Sequence, residues 1–388
     1  MDNRKIVFTS ESVSDGHPDK VCDQISDAIL DAYLSKDKNA KVACETLVTK
    51  DLVVVAGEIN SNVKVNHETV IRNVVKDIGY IHEGNGFKWD ELEIIDRLHK
   101  QSPDIFQGVE LKSGEIGSGD QGIMFGYAVN ESDNYMPFPI EISHKLLKEL
   151  KWLRENNDFA KKYLRPDAKS QVTMEYKGRI PQKIDTILIS TQHSEDVEIS
   201  DIKGWIKNVL IERVKRLYGY EKYFTNYKLL VNPTGRFVIG GPTGDGGLTG
   251  RKIVVDQYGG KGQIGGGAFS GKDCSKNDRS AAYAARWIAK NIVASGLVDE
   301  CLIQLSYAIG VPEPVSINIH TYGTSRISEE ILEDFVKENY PLTPKWIIDK
   351  LDLRNVNYKE TSTFGHFGRP EFNWEKLNLV DDFKKLKS

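Results

Sequence analysis

Apolar residues recur at helical spacing just after Pro18, where Val21, Ile25, Ala28, Ile29 and Tyr33 form one stripe. Comparable stripes run through 67–78, 143–154, 204–217, 279–295 and 344–351. Each predicts a helix. Between them, runs rich in β-branched and aromatic residues predict strands: VACETLV (42–48), LVVVAGEI (52–59), TILIST (186–191), KLLVNP (228–233), FVIGG (237–241), KIVVDQY (252–258), IQLSYAIG (303–310) and SINIHTY (316–322). The first two face each other across Lys50-Asp51 as a hairpin, and the order of elements lacks the regular βαβ rhythm of a doubly wound sheet. The pattern predicts an α+β protein with antiparallel or mixed sheets. Alternation along the hairpin puts Glu45 and Glu58 on the face that carries Ala43, Leu47, Val54 and Ala56. Burying an unpaired carboxylate costs several kcal/mol. Either this face is open to solvent, or a metal ion or a substrate ammonium neutralises it.

The chain has 388 residues, which predicts two or three domains. Lys plus Arg number 52 against 56 Asp plus Glu, a net charge of −4, so no basic excess points to nucleic acid or an anionic membrane. Mean hydropathy is −0.42. No apolar run approaches the roughly 20 residues of a membrane span. The start, MDNRKIVFTSES, has no apolar leader core, and Cys22, Cys44, Cys274 and Cys301 show no metal or CxxC spacing. These features predict a cytoplasmic protein.

Glycine is the residue whose distribution changes the picture most. Positions 235–271 hold 14 of the 33 glycines, interrupted by Arg236, Phe237, Asp245, Arg251, Lys252 and Phe269 and followed by Lys272, which predicts a backbone cradle rather than a linker. GGAFSGKD (266–273) nearly matches the phosphate-binding GxxxxGK[ST]. Asp273 stands in place of the hydroxyl, no strand leads in, and the next helix is expected only after Asp278. Lys272, Lys276, Arg251 and Lys252 still offer four cations to a polyphosphate, with Asp273 and Asp278 available to a metal. GSGDQG (117–122) matches GxGxxG literally, but a polar loop precedes it and the strand-like IMFGYAV follows, the wrong context for a dinucleotide site. The aperiodic QSPDIFQGVELKS (101–113) predicts a mobile gating loop. In SESVSDGHPDK, His17 falls at a helix N-cap with Pro18 at the first helical position and Asp19 in the first turn. Such a terminus can receive a phosphate, with His17 donating and Asp19 holding Mg2+. The plainer alternative is a cap followed by a solvated acidic stripe, Asp19, Asp23, Asp27 and Asp31.

Together, HPDK (17–20), GDQG (119–122), RPDAKSQVT (165–173), NPTGRFVIGGPTGDGGLTGRK (232–252) and GGGAFSGKD (265–273) closely resemble the S-adenosylmethionine synthetases, or methionine adenosyltransferases, over nearly the whole chain. The resemblance implies condensation of ATP with L-methionine, by attack of sulfur on the ribose 5′ carbon, and hydrolysis of the released tripolyphosphate to pyrophosphate and phosphate. It implies three similar mixed α/β modules around a pseudo-threefold axis, here 3–102, 116–234 and 236–373, with active sites between the subunits of a homodimer or homotetramer. By position, His17, Asp167, Lys169, Arg236, Phe237, Asp245, Arg251, Lys252, Ala268 and Lys272 fall at family ATP contacts, with His17, Lys169, Arg251, Lys252 and Lys272 acting on the triphosphate. Glu58, Gln101, Asp245 and Lys276 match methionine contacts. Asp19 and Asp278 match the ligands of two Mg2+ per site, and Glu45 that of K+. Ser118 and Gly246 depart from the usual alanine and alanine or cysteine, and Cys274 and Gln257 sit beside key motifs. The other readings are a P-loop-like kinase and a non-catalytic ATP-binding regulator.

Overall fold

The computed structural model describes residues 4–82, 86–100 and 117–387. Its strands form three sheets: β4-β3-β2-β9, β1-β6-β7-β8 and β11-β10-β5. The first contains β2 (Lys41–Thr49), β3 (Leu52–Asn60), β4 (Glu93–Lys100) and the two-residue β9 (Gly247–Leu248). The hairpin turns where the sequence placed it, with Thr49 opposite Leu52 and Glu45 opposite Ala56. Asp51 takes a left-handed φ of 57° there, a conformation aspartate tolerates. β4, which the sequence pattern does not reveal, adds parallel to β3. Its outward positions are mostly exposed, so it lacks a clean apolar alternation.

The second sheet pairs β1 (Lys5–Val13) with β6 (Leu164–Lys177), then β7 (Ile180–His193) and β8 (Lys228–Val231). The third pairs β5 (Gly122–Val129), β10 (Glu300–Tyr307) and β11 (Ser316–His320). Each sheet carries a helix: α1 (Pro18–Leu34) on the first, with α2 (His67–Ile78) packed against α1, Phe138–Asn156 on the second, and Asn277–Ala294 on the third. The result is an α+β arrangement of three sheet-and-helix modules. Strands cross between them, since β1, β5 and β9 each pair with strands distant in sequence.

Two sequence readings are corrected. FVIGG is not a strand but an extended loop entering a 3-10 turn at Gly241–Thr243. KIVVDQY holds a short helix, Ile253–Asp256. Both lie among glycines that bend the chain every few residues, and a strand needs an uninterrupted partner. The expected helix over 204–217 is present but carries a π-helical segment at Ile206–Ile211 between Ile199–Trp205 and Glu212–Tyr218.

Close helix-to-sheet contact sets one strict demand. At Gly126 on β5 an added Cβ would lie 2.0 Å from the backbone carbon of Ala285 in the helix behind it, whereas at Gly266 it would meet open space. Gly126→Ala should therefore cost at least the roughly 1–3 kcal/mol of ordinary overpacking. Its thermal midpoint should fall well below that of the parent, while Gly266→Ala should leave the midpoint unchanged. Equal midpoints for the two variants would show that the sheet and helix are not held this closely.

Candidate active site

His17 is the N-cap of α1, with φ −62° and ψ 138°, and Pro18 is the first helical residue. Its Nδ1 accepts the Asp19 N–H at 3.2 Å, so the ring proton resides on Nε2. Burial, then the charges of Lys252 and Lys169, hold the imidazole down to about 3. At neutral pH His17 is an uncharged hydrogen-bond donor beside a helix N-terminus.

Asp19, one residue into the helix, is buried and held by the glycine-rich loop. The Leu248 N–H donates to its Oδ1 at 3.0 Å, Lys252 Nζ lies 2.6 Å from Oδ2, and Arg251 Nε lies 3.6 Å from Oδ1. Burial pushes its carboxyl up, but the hydrogen bonds from Lys252 and Leu248 and the charge of Lys252 outweigh it and hold it below the usual carboxylate range.

β6 brings Asp167 and the exposed Lys169 to the same region. The Gly241 N–H donates to Asp167 Oδ2 at 2.8 Å, while Oδ1 is buried with no partner. Burial pushes this carboxyl up to about 6. Asp245 is exposed nearby, close enough for its charge to be felt at Asp167. The Phe237 N–H donates to His193 Nε2 at 3.0 Å, which fixes that loop, and Arg236 reaches Glu195 at 3.5 Å on the surface.

A second charged group surrounds a cavity of about 270 Å3 lined by Ala43, Asp120, Lys272, Lys276, Asn277 and Asp278. Lys272 pairs with Ala43 at the edge of β2, and its Nζ lies 2.6 Å from Asp278 Oδ2. Partial desolvation of its carboxyl pushes Glu45, on the outer face of β2, up, against the pull of Lys272. That face is open in the single chain. Glu45 is exposed and Glu58 half-buried, while Leu47 and Leu248 beside them are 37% and 41% exposed. Ala268 lies against Gly250, where a Cβ would approach it to 2.4 Å, so the two glycine loops touch.

Several expectations change. The four cations do not form one cluster: Arg251 and Lys252 sit on Asp19, Lys272 on Asp278, and Lys276 on Asp273. Asp273 is unsuited to a metal, because backbone amides hold both of its oxygens, Val42 on Oδ2 and Ser275 on Oδ1, with Lys276 also on Oδ2, whereas Asp19 has a backbone amide on Oδ1 alone. The following helix begins at Asn277, not after Asp278, and Asp278 lies in its first turn. Nor is the acidic stripe of α1 solvated: Asp19, Asp23 and Asp27 are buried and Asp31 half-buried.

The departures are accommodated. Ser118 Oγ donates to the Asp120 carbonyl and accepts from Asn277 Nδ2, and a Cβ at Gly246 would meet nothing nearer than 3.5 Å. Cys274 is buried, with its thiol pushed up to about 11 by burial, so it is no ready thiolate. Gln101 and the 101–113 loop lie outside the described residues.

Among the described residues no three His, Cys, Asp or Glu side chains gather closely enough to hold a metal by themselves. Asp19, buried, and Asp278, partly exposed, instead each place a single carboxylate beside lysines and glycine-rich loops. That donor set fits Mg2+, which is commonly held by one or two carboxylates together with substrate phosphates.

Asp167 yields a pH test. Its native pKa lies above the ordinary value of 3.8, so between pH 4 and about 6 the folded state holds more protons than the unfolded one and stability falls as pH rises. Asp167→Asn should then raise the thermal midpoint by a few degrees at pH 7.5, with the gain vanishing near pH 4. Equal midpoints at pH 7.5 would remove the strain assigned to this carboxylate.

Family models match the chain along almost its full length. Residues 5–103 match the S-adenosylmethionine synthetase N-terminal domain, 115–237 its central domain and 239–376 its C-terminal domain. The chain is 52% identical to the S-adenosylmethionine synthase of Clostridium botulinum over 396 residues, covering 98% of this chain and 99% of the relative. Identity to that of Mesoplasma florum is also 52%, with the same coverage, and to that of Helicobacter pylori 52%, covering 97% of each. The chain belongs to the S-adenosylmethionine synthetase family.

Proposed function

We propose that this protein forms S-adenosylmethionine from ATP and L-methionine and hydrolyses the tripolyphosphate it releases. The observation that carries the reading is the neutral His17 cap, its Nε2 proton free, next to the Asp19–Lys252–Arg251 group on a helix N-terminus. Methionine sulfur is a soft nucleophile and needs no general base. What limits the reaction is in-line placement and departure of a highly charged leaving group.

His17 donates its Nε2 proton to the polyphosphate, and Lys169, Arg251, Lys252 and Lys272 stabilise the charge that develops there. Asp167, Arg236, Phe237, Asp245 and Ala268 bind the rest of ATP; the partnerless Asp167 Oδ1 is a ready acceptor for a donor of the nucleoside. Glu58, Gln101, Asp245 and Lys276 hold methionine. Asp19 and Asp278 would hold Mg2+, which supplies charge neutralisation along the polyphosphate, and Glu45 would hold K+. Without substrate, Lys252 and Lys272 rest on these same carboxylates.

Exposed Leu47 and Leu248 beside Glu45 favour a second copy of the chain packed on this face, with the site completed between subunits of a homodimer or homotetramer. No helix among the described residues is long and apolar enough to cross a membrane, and the four cysteines are free and buried. Both support a place in the cytoplasm.

With ATP, methionine, Mg2+ and K+, S-adenosylmethionine, pyrophosphate and phosphate should form in equal amounts. ADP as the stoichiometric product would overturn the reading in favour of a kinase. Lys272→Ala should lower kcat/KM by about a hundredfold or more, since losing one preorganised donor costs about 2.7–4 kcal/mol; steady-state kinetics within threefold of the parent would take Lys272 off the polyphosphate. Glu45→Gln should lose activation by K+, and a response to added KCl as strong as the parent's would remove that ligand.

A further inference from the structure

The acidic stripe of α1 is used along its whole length, and only its first member belongs to the site described above. Asp19 accepts the Leu248 N–H at 3.0 Å, Asp23 the Gly250 N–H at 2.9 Å, and Asp27 the Gly271 N–H at 2.8 Å. Asp31 accepts the N–H groups of Tyr358 and Lys359, each at 2.8 Å. Carboxylates four residues apart thus rise along one helix face and capture, turn by turn, backbone donors from segments more than 220 residues away. Two of the captured residues directly precede cations of the site: Gly250 precedes Arg251 and Lys252, and Gly271 precedes Lys272. Both glycines have left-handed φ, 77° and 80°, so the chain reverses at the captured amide.

Asp27 also takes a bidentate ion pair from the buried Arg279, which makes it part of the core. Asp23 is the more informative member. It is fully buried and cannot touch a substrate. Its Oδ2 accepts from Lys20 Nζ at 2.9 Å, and Lys20 also contacts Asp256, so Asp23 is clamped from behind while its Oδ1 faces the loop.

We propose that Asp23 is a positioning residue for the leaving group: by holding the Gly250 amide it sets the direction in which Arg251 and Lys252 leave the loop toward the polyphosphate. It acts through those two cations and not on methionine. This deepens the reading of the site as one that receives a triphosphate, and rests on it.

The experiment compares the parent with Asp23→Ala, Asp23→Asn and Gly250→Ala. Asp23→Asn keeps an acceptor for the Gly250 N–H and leaves Lys20 its contact with Asp256. Gly250→Ala leaves the Lys20–Asp23–Asp256 group intact and moves the captured amide itself, since its Cβ would lie 2.4 Å from that of Ala268. The probe is the imido analogue of tripolyphosphate with Mg2+, titrated by calorimetry; thermal midpoints and the KM for methionine are measured in parallel.

Affinity for the probe should fall about tenfold or more in Asp23→Ala and Gly250→Ala and recover to within about threefold of the parent in Asp23→Asn, with KM for methionine within about twofold throughout. A purely structural role would lower midpoints and leave probe affinity per folded chain unchanged. Parent-like affinity in Gly250→Ala overturns the proposal, and so does a loss in Asp23→Asn as large as in Asp23→Ala. If Asp23→Ala does not fold, Gly250→Ala and Asp23→Asn decide alone. A parent that binds the probe but forms no S-adenosylmethionine would overturn the proposed reaction while leaving the result for Asp23 standing.

Discussion

The burial of α1 constrains everything around it. A helix that carries four aspartates at a spacing of four residues would ordinarily turn that face to water. Here Asp19, Asp23 and Asp27 lie inside the protein, between the first sheet and the glycine-rich loops. A buried carboxylate without donors costs several kcal/mol, and each oxygen of these three aspartates takes an amide or a cation. The loops that supply them are rich in glycine because they must reverse direction at the helix surface and approach it closely. At Gly247 an added Cβ would lie 2.3 Å from the backbone of Pro18.

The same accounting extends to the cations. Lys20 is fully buried between Asp23 and Asp256, and these two carboxylates overcome its desolvation and raise its pKa. Arg279 pairs with Asp27, and Arg286 and Lys290, in the helix behind β5, share Glu375. Replacing such groups by apolar ones of equal shape can be neutral or stabilising, but removing one partner is strongly destabilising. Their effect is to make each long-range contact specific: one register of loop against helix satisfies the charges.

At the edge of this network the balance is left adjustable. Lys252 on the buried Asp19, and Lys272 on Asp278, are lysines still in partial contact with solvent, in contrast to the sealed Lys20 and Arg279. On the function proposed above, a polyphosphate with its metal would offer the lysines a stronger anion and the carboxylates a stronger cation, and both pairs would exchange partners without exposing an uncompensated charge. His17 would need no exchange: already neutral, with Nδ1 taken by its own helix, it would present a donor that requires no reorganisation as charge develops.

Much of this was legible in the chain. The hairpin at Lys50-Asp51 and α2 over 67–78 follow from period and turn chemistry, and His17-Pro18-Asp19 announces its helix start, because such signals are local. The family motifs include the glycine-rich loops whose amides meet α1. The sequence could not tell that the stripe from Asp19 to Asp31 is buried, since an acidic face reads as solvated until something covers it. It likewise offered Asp273 as a metal ligand, and only the fold brings the Val42 amide to that carboxylate. FVIGG and KIVVDQY have strand composition but no strand to pair with, and β4 has a partner but little pattern. Local interactions therefore fixed element identity where period and caps agreed. That Asp19, Asp23 and Asp27 are taken up by the protein's own amides was decided by donors more than 220 residues away, and no local pattern encodes them.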